Sequence, residues 1–203
     1  MTGPVRRGLK RGLLVSAALI AAGGIGWAVY RPEAPVDPAA SYAAAVGGPF
    51  TLTDVNGRPF GNDQLRGKPF AIFFGFTRCP DVCPTTLSRM AQLRARLGSD
   101  ADTLNIVFVS VDPESDTPAQ IGRYLTLFDT PIIGLTGTPA QIAATARAYA
   151  VYYQRVPLEG GGYTMDHTAT VFLMGRAGEF VTTLDAHESE GPSLDKLRRL
   201  VRG

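Results

Sequence analysis

Cysteine is nearly absent from this 203-residue chain, which has only two, Cys79 and Cys83. That excludes a scaffold stapled by several disulfides and any four-cysteine metal site. Histidine is equally scarce, at His167 and His187, and the one tryptophan, Trp27, lies near the N-terminus. Aromatic and basic residues do not interleave anywhere and no segment repeats, so nothing marks a nucleic-acid surface or a solenoid. Charge is missing over Leu13 to Tyr30, eighteen residues that would make a helix of about 27 Å, just enough to cross a bilayer core.

Arg6, Arg7, Lys10 and Arg11 precede that apolar segment, and Arg31 alone follows it at once. The positive-inside bias holds the N-terminus in the cytoplasm and exports the rest. Trp27 and Tyr30 fall where an interfacial aromatic belt belongs. A cleaved signal peptide is the alternative, but no small-x-small site closes the segment, which favours an uncleaved anchor. Beyond Arg31 the chain holds 15 basic residues against all 18 acidic ones, a net of −3, so the overall positive charge is a topology signal. The expected organisation is a cytoplasmic segment over 1–12, an anchor over 13–30, a Pro- and Ala-rich spacer over 31–48 and one domain over 49–203.

What the domain does have is concentrated in one loop, Cys79-Pro80-Asp81-Val82-Cys83-Pro84, directly after the apolar run Phe70 to Phe76. The run has the length and aromatic content of a buried strand, and Pro84 suits the first turn of a helix. Cys83 is thereby placed at a helix N-terminus, where free N–H groups favour a thiolate. A purely structural disulfide is the alternative, but bridging so short a loop stabilises by only about 2 kcal/mol, and a domain of this size buries a core without it.

Further along, Phe50–Asp54 and Arg58–Phe60 flank Asn56-Gly57 as a hairpin, and Thr85–Leu97 reads as a helix with Leu87, Met90, Leu93 and Leu97 inward. Leu104–Val111 is a second buried strand. Helices start at Thr117-Pro118 and at Thr138-Pro139 with Gln141, the latter a capping box, and run to about Phe128 and Ala150. Thr168–Met174 and Glu179–Leu184 form an antiparallel hairpin, and a last helix covers about Ser193 to Val201. Two strands joined by a helix, then a hairpin and a closing helix, make an α/β thioredoxin-like plan: a central mixed sheet flanked by helices, with its chemistry at the carboxyl ends of the strands.

Four segments, Phe73–Pro84 (FFGFTRCPDVCP), Ser110–Pro118 (SVDPESDTP), Gly134–Ile142 (GLTGTPAQI) and Tyr163–Met174 (YTMDHTATVFLM), together resemble the Sco/SenC family, in consistent order over about residues 48 to 200. The resemblance implies a membrane-anchored, thioredoxin-fold copper chaperone that helps assemble the binuclear copper centre of cytochrome c oxidase. Its copper ligands would be Cys79, Cys83 and His167, holding Cu(I) and Cu(II), with a redox-active disulfide between Cys79 and Cys83 as the other state. The implied partner is the copper-binding subunit of the oxidase, and a dithiol exported to a compartment where disulfides persist is expected to need a thiol reductant protein as well. The implied location is a bacterial inner membrane with the domain on the periplasmic side, a mitochondrial inner membrane being the alternative. Gly175-Arg176-Ala177-Gly178 departs from the proline turn frequent in the family, without touching the ligands.

Without the resemblance, a lone histidine beside a strand reads as a surface or satisfied core residue. With it, the loop Met165-Asp166-His167 stands where thioredoxin-like oxidoreductases carry a proline facing the dithiol, and an imidazole replaces that proline. Two thiolates and an imidazole make a trigonal set suited to Cu(I), with room for another donor on Cu(II). Asp166 either orients the imidazole or faces solvent. Asp81 reads as a turn residue, Asp112 and Asp116 as loop-shaping residues, and His187 as surface. The chain is not expected to be an enzyme, though a thiol-disulfide reductase acting on the oxidase subunit and a redox or copper sensor are alternatives. The domain lacks the tryptophan that usually precedes a thioredoxin CxxC. A peroxiredoxin-like peroxidase would want threonine where Phe76 stands, and a Cys2His2 zinc site would need His187 at the dithiol.

Overall fold

The computed structural model describes Tyr42 and residues 45–203. The expected cytoplasmic segment and anchor, and most of the spacer, lie outside the described residues. Among the described residues no helix is long and apolar enough to cross a membrane.

The run FAIFFG, every residue buried, forms strand β3 (Phe70–Gly75). It pairs in parallel with β4 (Asn105–Ser110), from Phe70 opposite Asn105 to Gly75 opposite Ser110. β4 in turn pairs in parallel with β5 (Ile133–Thr136). The sheet is completed by antiparallel neighbours: β1 (Thr51–Asp54) beside β5, β2 (Pro59–Gly61) at one edge, β8 (Val171–Met174) beside β3, and β9 (Phe180–Leu184) at the other edge. This is the expected thioredoxin-like mixed sheet.

Alternation along β3 divides the core. Ala71 and Phe73 face a layer built from α1 (Val82–Ala95), α2 (Pro118–Leu125) and α4 (Glu190–Arg202), through Leu87, Met90, Ile121 and Leu197. Phe70, Ile72 and Phe74 face Ile142, Ala146 and Tyr149 at α3 (Pro139–Ala148). Both α2 and α3 open on a Thr–Pro pair whose threonine hydroxyl accepts from the glutamine N–H three residues on, Gln120 and Gln141. The capping box expected at Thr138 therefore has a twin at Thr117.

Three sequence readings are corrected. Helix α1 runs from Val82 to Ala95 rather than from Thr85 to Leu97, with Cys83 and Pro84 in its first turn as their place before the helix suggested. Val46, within the expected spacer, is 5% exposed and belongs to the core, and Gly47 N–H donates to Ala148 O at 2.7 Å. Residues 165–167 are not a loop: β6 (Tyr153–Pro157) and β7 (Tyr163–His167) form a separate two-stranded sheet. Strand β6 is mostly exposed and carries Gln154, Arg155 and Pro157, so it has no apolar alternation to betray it.

The carboxyl ends of β3 and β4 are fastened by one buried carboxylate. Asp116 Oδ2 accepts from Thr77 N–H at 2.9 Å and from Ser110 Oγ at 2.6 Å, while Oδ1 accepts from Thr77 Oγ at 2.6 Å. Asp116 is 1% exposed and Ser110 fully buried, so water replaces these bonds poorly. Asp116→Ala should lower stability by about 3 kcal/mol, read as a shift of the urea unfolding midpoint; an unshifted midpoint would deny the clamp its role.

Candidate metal centre

Beyond Gly75 the chain turns through Phe76-Thr77-Arg78, with Cys79 N–H donating to Phe76 O at 3.3 Å, and then enters α1. Cys83 sits in the first turn of that helix with no exposed surface, whereas Cys79 lies outside the helix and is half-buried. Both are free thiols. Cys83 can pack inward only because Gly75 has no side chain: a Cβ there would stand 2.7 Å from Cys83 Sγ and 3.0 Å from the rings of Phe73 and Phe108. Sequence reasoning did not single out Gly75, although a glycine inside an apolar run just before the dithiol was the available signal.

The two thiols are driven in opposite directions. Cys79 is brought down to about 5, first by the hydrogen bond from the Cys83 thiol, which outweighs the cost of burial, and then by the backbone N–H groups of Cys83 and Asp81. The Cys83 N–H stands 3.4 Å from Cys79 Sγ. Cys83 is pushed well up, because its proton serves Cys79 and because it is buried. The expectation that the helix N-terminus makes Cys83 the favoured thiolate is therefore corrected. The helix N–H groups point at Cys79, and the sulfur inside the first turn keeps its proton.

His167 ends β7 with Nε2 3.4 Å from Cys83 Sγ. Its Nδ1 lies 3.0 Å from Thr168 O, and a carbonyl oxygen can only accept, so Nδ1 carries the proton and the Nε2 lone pair faces the sulfurs. The rings of Phe73 and Phe76 meet the imidazole edge-on at 6.0 and 5.8 Å. The ligand atoms of Cys79, Cys83 and His167 all lie within 4.8 Å of one another. Two sulfurs and one imidazole nitrogen are a soft donor set that fits copper better than a hard cation.

The other candidates fall away from this group. Asp166 is exposed, and the carbonyl of Thr168, not Asp166, orients the imidazole. Asp81 behaves as a turn residue, its backbone oxygen accepting from Thr85 N–H and its carboxylate from Thr85 Oγ at 3.3 Å. His187 is exposed, its N–H donating to Asp185 Oδ1 at 2.8 Å, and it is not part of the three-residue group. Asp112 does more than shape a loop: Arg78, next to Cys79, donates to it at 2.9 Å, and so does Tyr163 Oη, at the far end of the histidine strand, at 2.9 Å.

A family model described as SCO1/SenC matches residues 38–202. The chain belongs to that family. Among curated relatives, the mitochondrial protein SCO2 of Saccharomyces cerevisiae is 38% identical over 164 residues, covering 79% of this chain and 54% of that protein. The mitochondrial SCO2 homolog of Mus musculus is 34% identical over 205 residues, covering 96% of this chain and 80% of that one. The chain thus spans only about half the length of the yeast relative. Among solved structures, ScoI of Bradyrhizobium japonicum with copper bound is 47% identical with a TM-score of 0.71, covering 77% of this chain and 99% of that one. Yeast Sco1 with copper bound is 36% identical with a TM-score of 0.72, covering 78% and 90%.

The opposed acidities make alkylation of the reduced protein selective. Because the Cys79 thiolate persists down to about pH 5, iodoacetamide should modify Cys79 at an almost constant rate from pH 7 to 6 and slow only as pH falls through about 5. Cys83 should stay unmodified in the folded protein at neutral pH. Peptide mapping by mass spectrometry checks this, and equal labelling of both cysteines at pH 6 would contradict it.

Proposed function

We propose that this chain is a membrane-anchored copper chaperone that holds its cargo through Cys79, Cys83 and His167 and helps assemble the binuclear copper centre of cytochrome c oxidase. The observation that carries the reading is the convergence of two sulfurs and an imidazole lone pair within 4.8 Å at the carboxyl end of β3. Copper bound in the relatives from Bradyrhizobium japonicum and yeast supports the choice of metal. Copper is cargo, so the residues must both hold it and let it leave. Cys79, half-buried and already ionised near neutral pH, offers the sulfur a receiving protein reaches first, while Cys83 and His167 form the inner wall. The receiving protein is the copper-binding subunit of the oxidase.

The apolar segment Leu13 to Tyr30, flanked by basic residues on its N-terminal side, supports anchoring in a bacterial inner membrane with the domain in the periplasm. In that oxidising compartment Cys79 and Cys83 form a disulfide when copper is absent, and a thiol reductant protein must reopen it before loading. A reporter fused after Gly203 should therefore be active only on the exported side; activity in the cytoplasm would overturn the topology.

A second reading is favoured by the split acidities of the thiols. As a reductase, the Cys79 thiolate attacks a disulfide of the oxidase subunit and forms a mixed disulfide, releasing one subunit thiol. Cys83 then gives up its proton and attacks Cys79, releasing the second thiol and leaving the Cys79–Cys83 disulfide. His167 separates the two readings, since this exchange does not use it. Copper titration of the full chain, reduced, should give one equivalent bound with thiolate charge-transfer absorption. His167→Ala should weaken Cu(II) about tenfold or more and Cu(I), which two thiolates hold, much less. Unchanged Cu(II) affinity and spectrum in that variant would remove His167 from the site.

A further inference from the structure

The histidine ends a strand of the two-stranded sheet while the dithiol lies in the loop and helix that follow β3 of the seven-stranded sheet, and what registers one against the other is a specific polar clasp. Strand β7 pairs with β6 alone, and neither is part of the seven-stranded sheet. The hairpin is rooted where Thr168 N–H donates to Tyr152 O at 3.0 Å and Tyr152 N–H to Thr168 Oγ at 3.1 Å. Along β7, Tyr163, Met165 and His167 share one face by the two-residue period, and Met165 packs against both halves of the core. Met165 contributes contact without direction. Tyr163 contributes direction: its hydroxyl donates to the Asp112 carboxylate, at 2.9 Å from Oδ1 and 3.2 Å from Oδ2, and the Ser115 hydroxyl, 2.6 Å away, is left to donate to Tyr163 Oη.

The same carboxylate accepts from Arg78 Nη2 at 2.9 Å, one residue before Cys79. Two guanidinium groups lie over the Tyr163 ring, Arg78 at 4.6 Å and Arg155 at 3.5 Å from its centroid. Arg155 is itself held by Glu114 at 2.9 Å. Asp112 is 3% exposed, so a hydroxyl withdrawn from it leaves a carboxylate oxygen that water reaches poorly. One buried group thereby ties the residue beside Cys79 to the far end of the strand that ends in His167.

We infer that Asp112 and Tyr163 are positioning residues that set the distance of the His167 imidazole from the two sulfurs, and so fix how far histidine takes part in holding copper. The inference rests on the copper reading above. Loosening the clasp frees one end of a strand whose other end carries a ligand, while the Cys79 and Cys83 loop stays pinned by Asp116. The loss should fall on the oxidation state that needs imidazole, Cu(II), and spare Cu(I) on the two sulfurs.

Tyr163→Phe in the full chain removes only the hydroxyl and keeps the ring against its two guanidinium neighbours. Cu(II) affinity should fall about tenfold, with weaker nitrogen superhyperfine coupling in the electron paramagnetic resonance spectrum and a shifted charge-transfer band. Cu(I) affinity should stay within about twofold and the thermal midpoint near that of the unsubstituted chain. In the reduced, copper-free protein the His167 ring resonances should broaden or shift. Asp112→Asn should act in the same direction, and Ser115→Ala, which leaves the Tyr163–Asp112 bond in place, should change little. The inference is overturned if Tyr163→Phe and Asp112→Asn keep the unsubstituted Cu(II) affinity and spectrum while His167→Ala loses them. Equal loss of Cu(I) and Cu(II) with a lowered thermal midpoint would also overturn it, by showing a structural role alone. If His167→Ala too is indistinguishable from the unsubstituted chain, the copper site itself is misplaced and the clasp falls with it.

Discussion

The parallel pairing of β3 with β4 is the constraint on which the rest of this site depends. Because Gly75 lies opposite Ser110, the chain leaves both strands at the same edge and at the same level. The dithiol loop and the Asp112–Asp116 loop must then share the space beyond the sheet, and their polar groups must satisfy each other there. Asp116 takes both donors of Thr77 and the hydroxyl of Ser110, and Asp112 takes Arg78. Two carboxylates with so little access to water are tolerable only because each meets several donors. The conformation of the cysteine loop is thus held by side chains 34 to 39 residues further along the chain.

Within that loop, one atom's absence decides the electrostatics. Gly75 lets Cys83 sink into the first turn of α1, and a sunken sulfur is denied water and keeps its proton. That proton, with the N–H of Cys83, stabilises charge on the outer sulfur of Cys79. Burial and hydrogen bonding therefore act as one mechanism with opposite results at two neighbouring thiols. A thiolate held outside and a thiol held inside is an arrangement open to both soft metal ions and disulfide exchange. The imidazole, whose Nδ1 is committed to Thr168 O, tilts the balance toward metal by adding a nitrogen lone pair that exchange does not use.

Much of this was legible in the sequence, for identifiable reasons. The apolar run before Cys79, the prolines after it and the Thr–Pro helix starts are local signals whose causes act within a few residues, and the structure keeps them. The readings that failed needed partners distant in the chain. Cys83 looked like the favoured thiolate because a helix N-terminus was visible in the sequence, whereas its burial over Gly75 was not. Tyr163, Arg78 and Asp112 were present in the matched motifs, but their meeting depends on β7 folding back over the end of β4. Val46 looked like spacer because a single apolar residue after a run of alanines has no period, though it completes the core beside α3.

The β6–β7 hairpin was the least legible element, and the physics that hid it bears on function. A strand stabilised by burial announces itself through alternating apolar residues; β6 buries almost nothing and is held by β7 and by polar contacts to loops. Such an element shifts more cheaply than one within the main sheet, since moving it disturbs few apolar contacts and leaves the seven-stranded sheet intact. Two of the three donors therefore ride on the rigid frame, fixed by β3, α1 and the buried aspartates, while the third rides on an appendage whose far end is fastened by polar contacts centred on the Tyr163 hydroxyl and the Asp112 carboxylate. A protein whose cargo must leave gains from that division. On the proposed copper-carrying reading, releasing the imidazole would lower the coordination number without breaking the core, and the half-buried Cys79 sulfur would remain within reach of the ligand that takes the metal next.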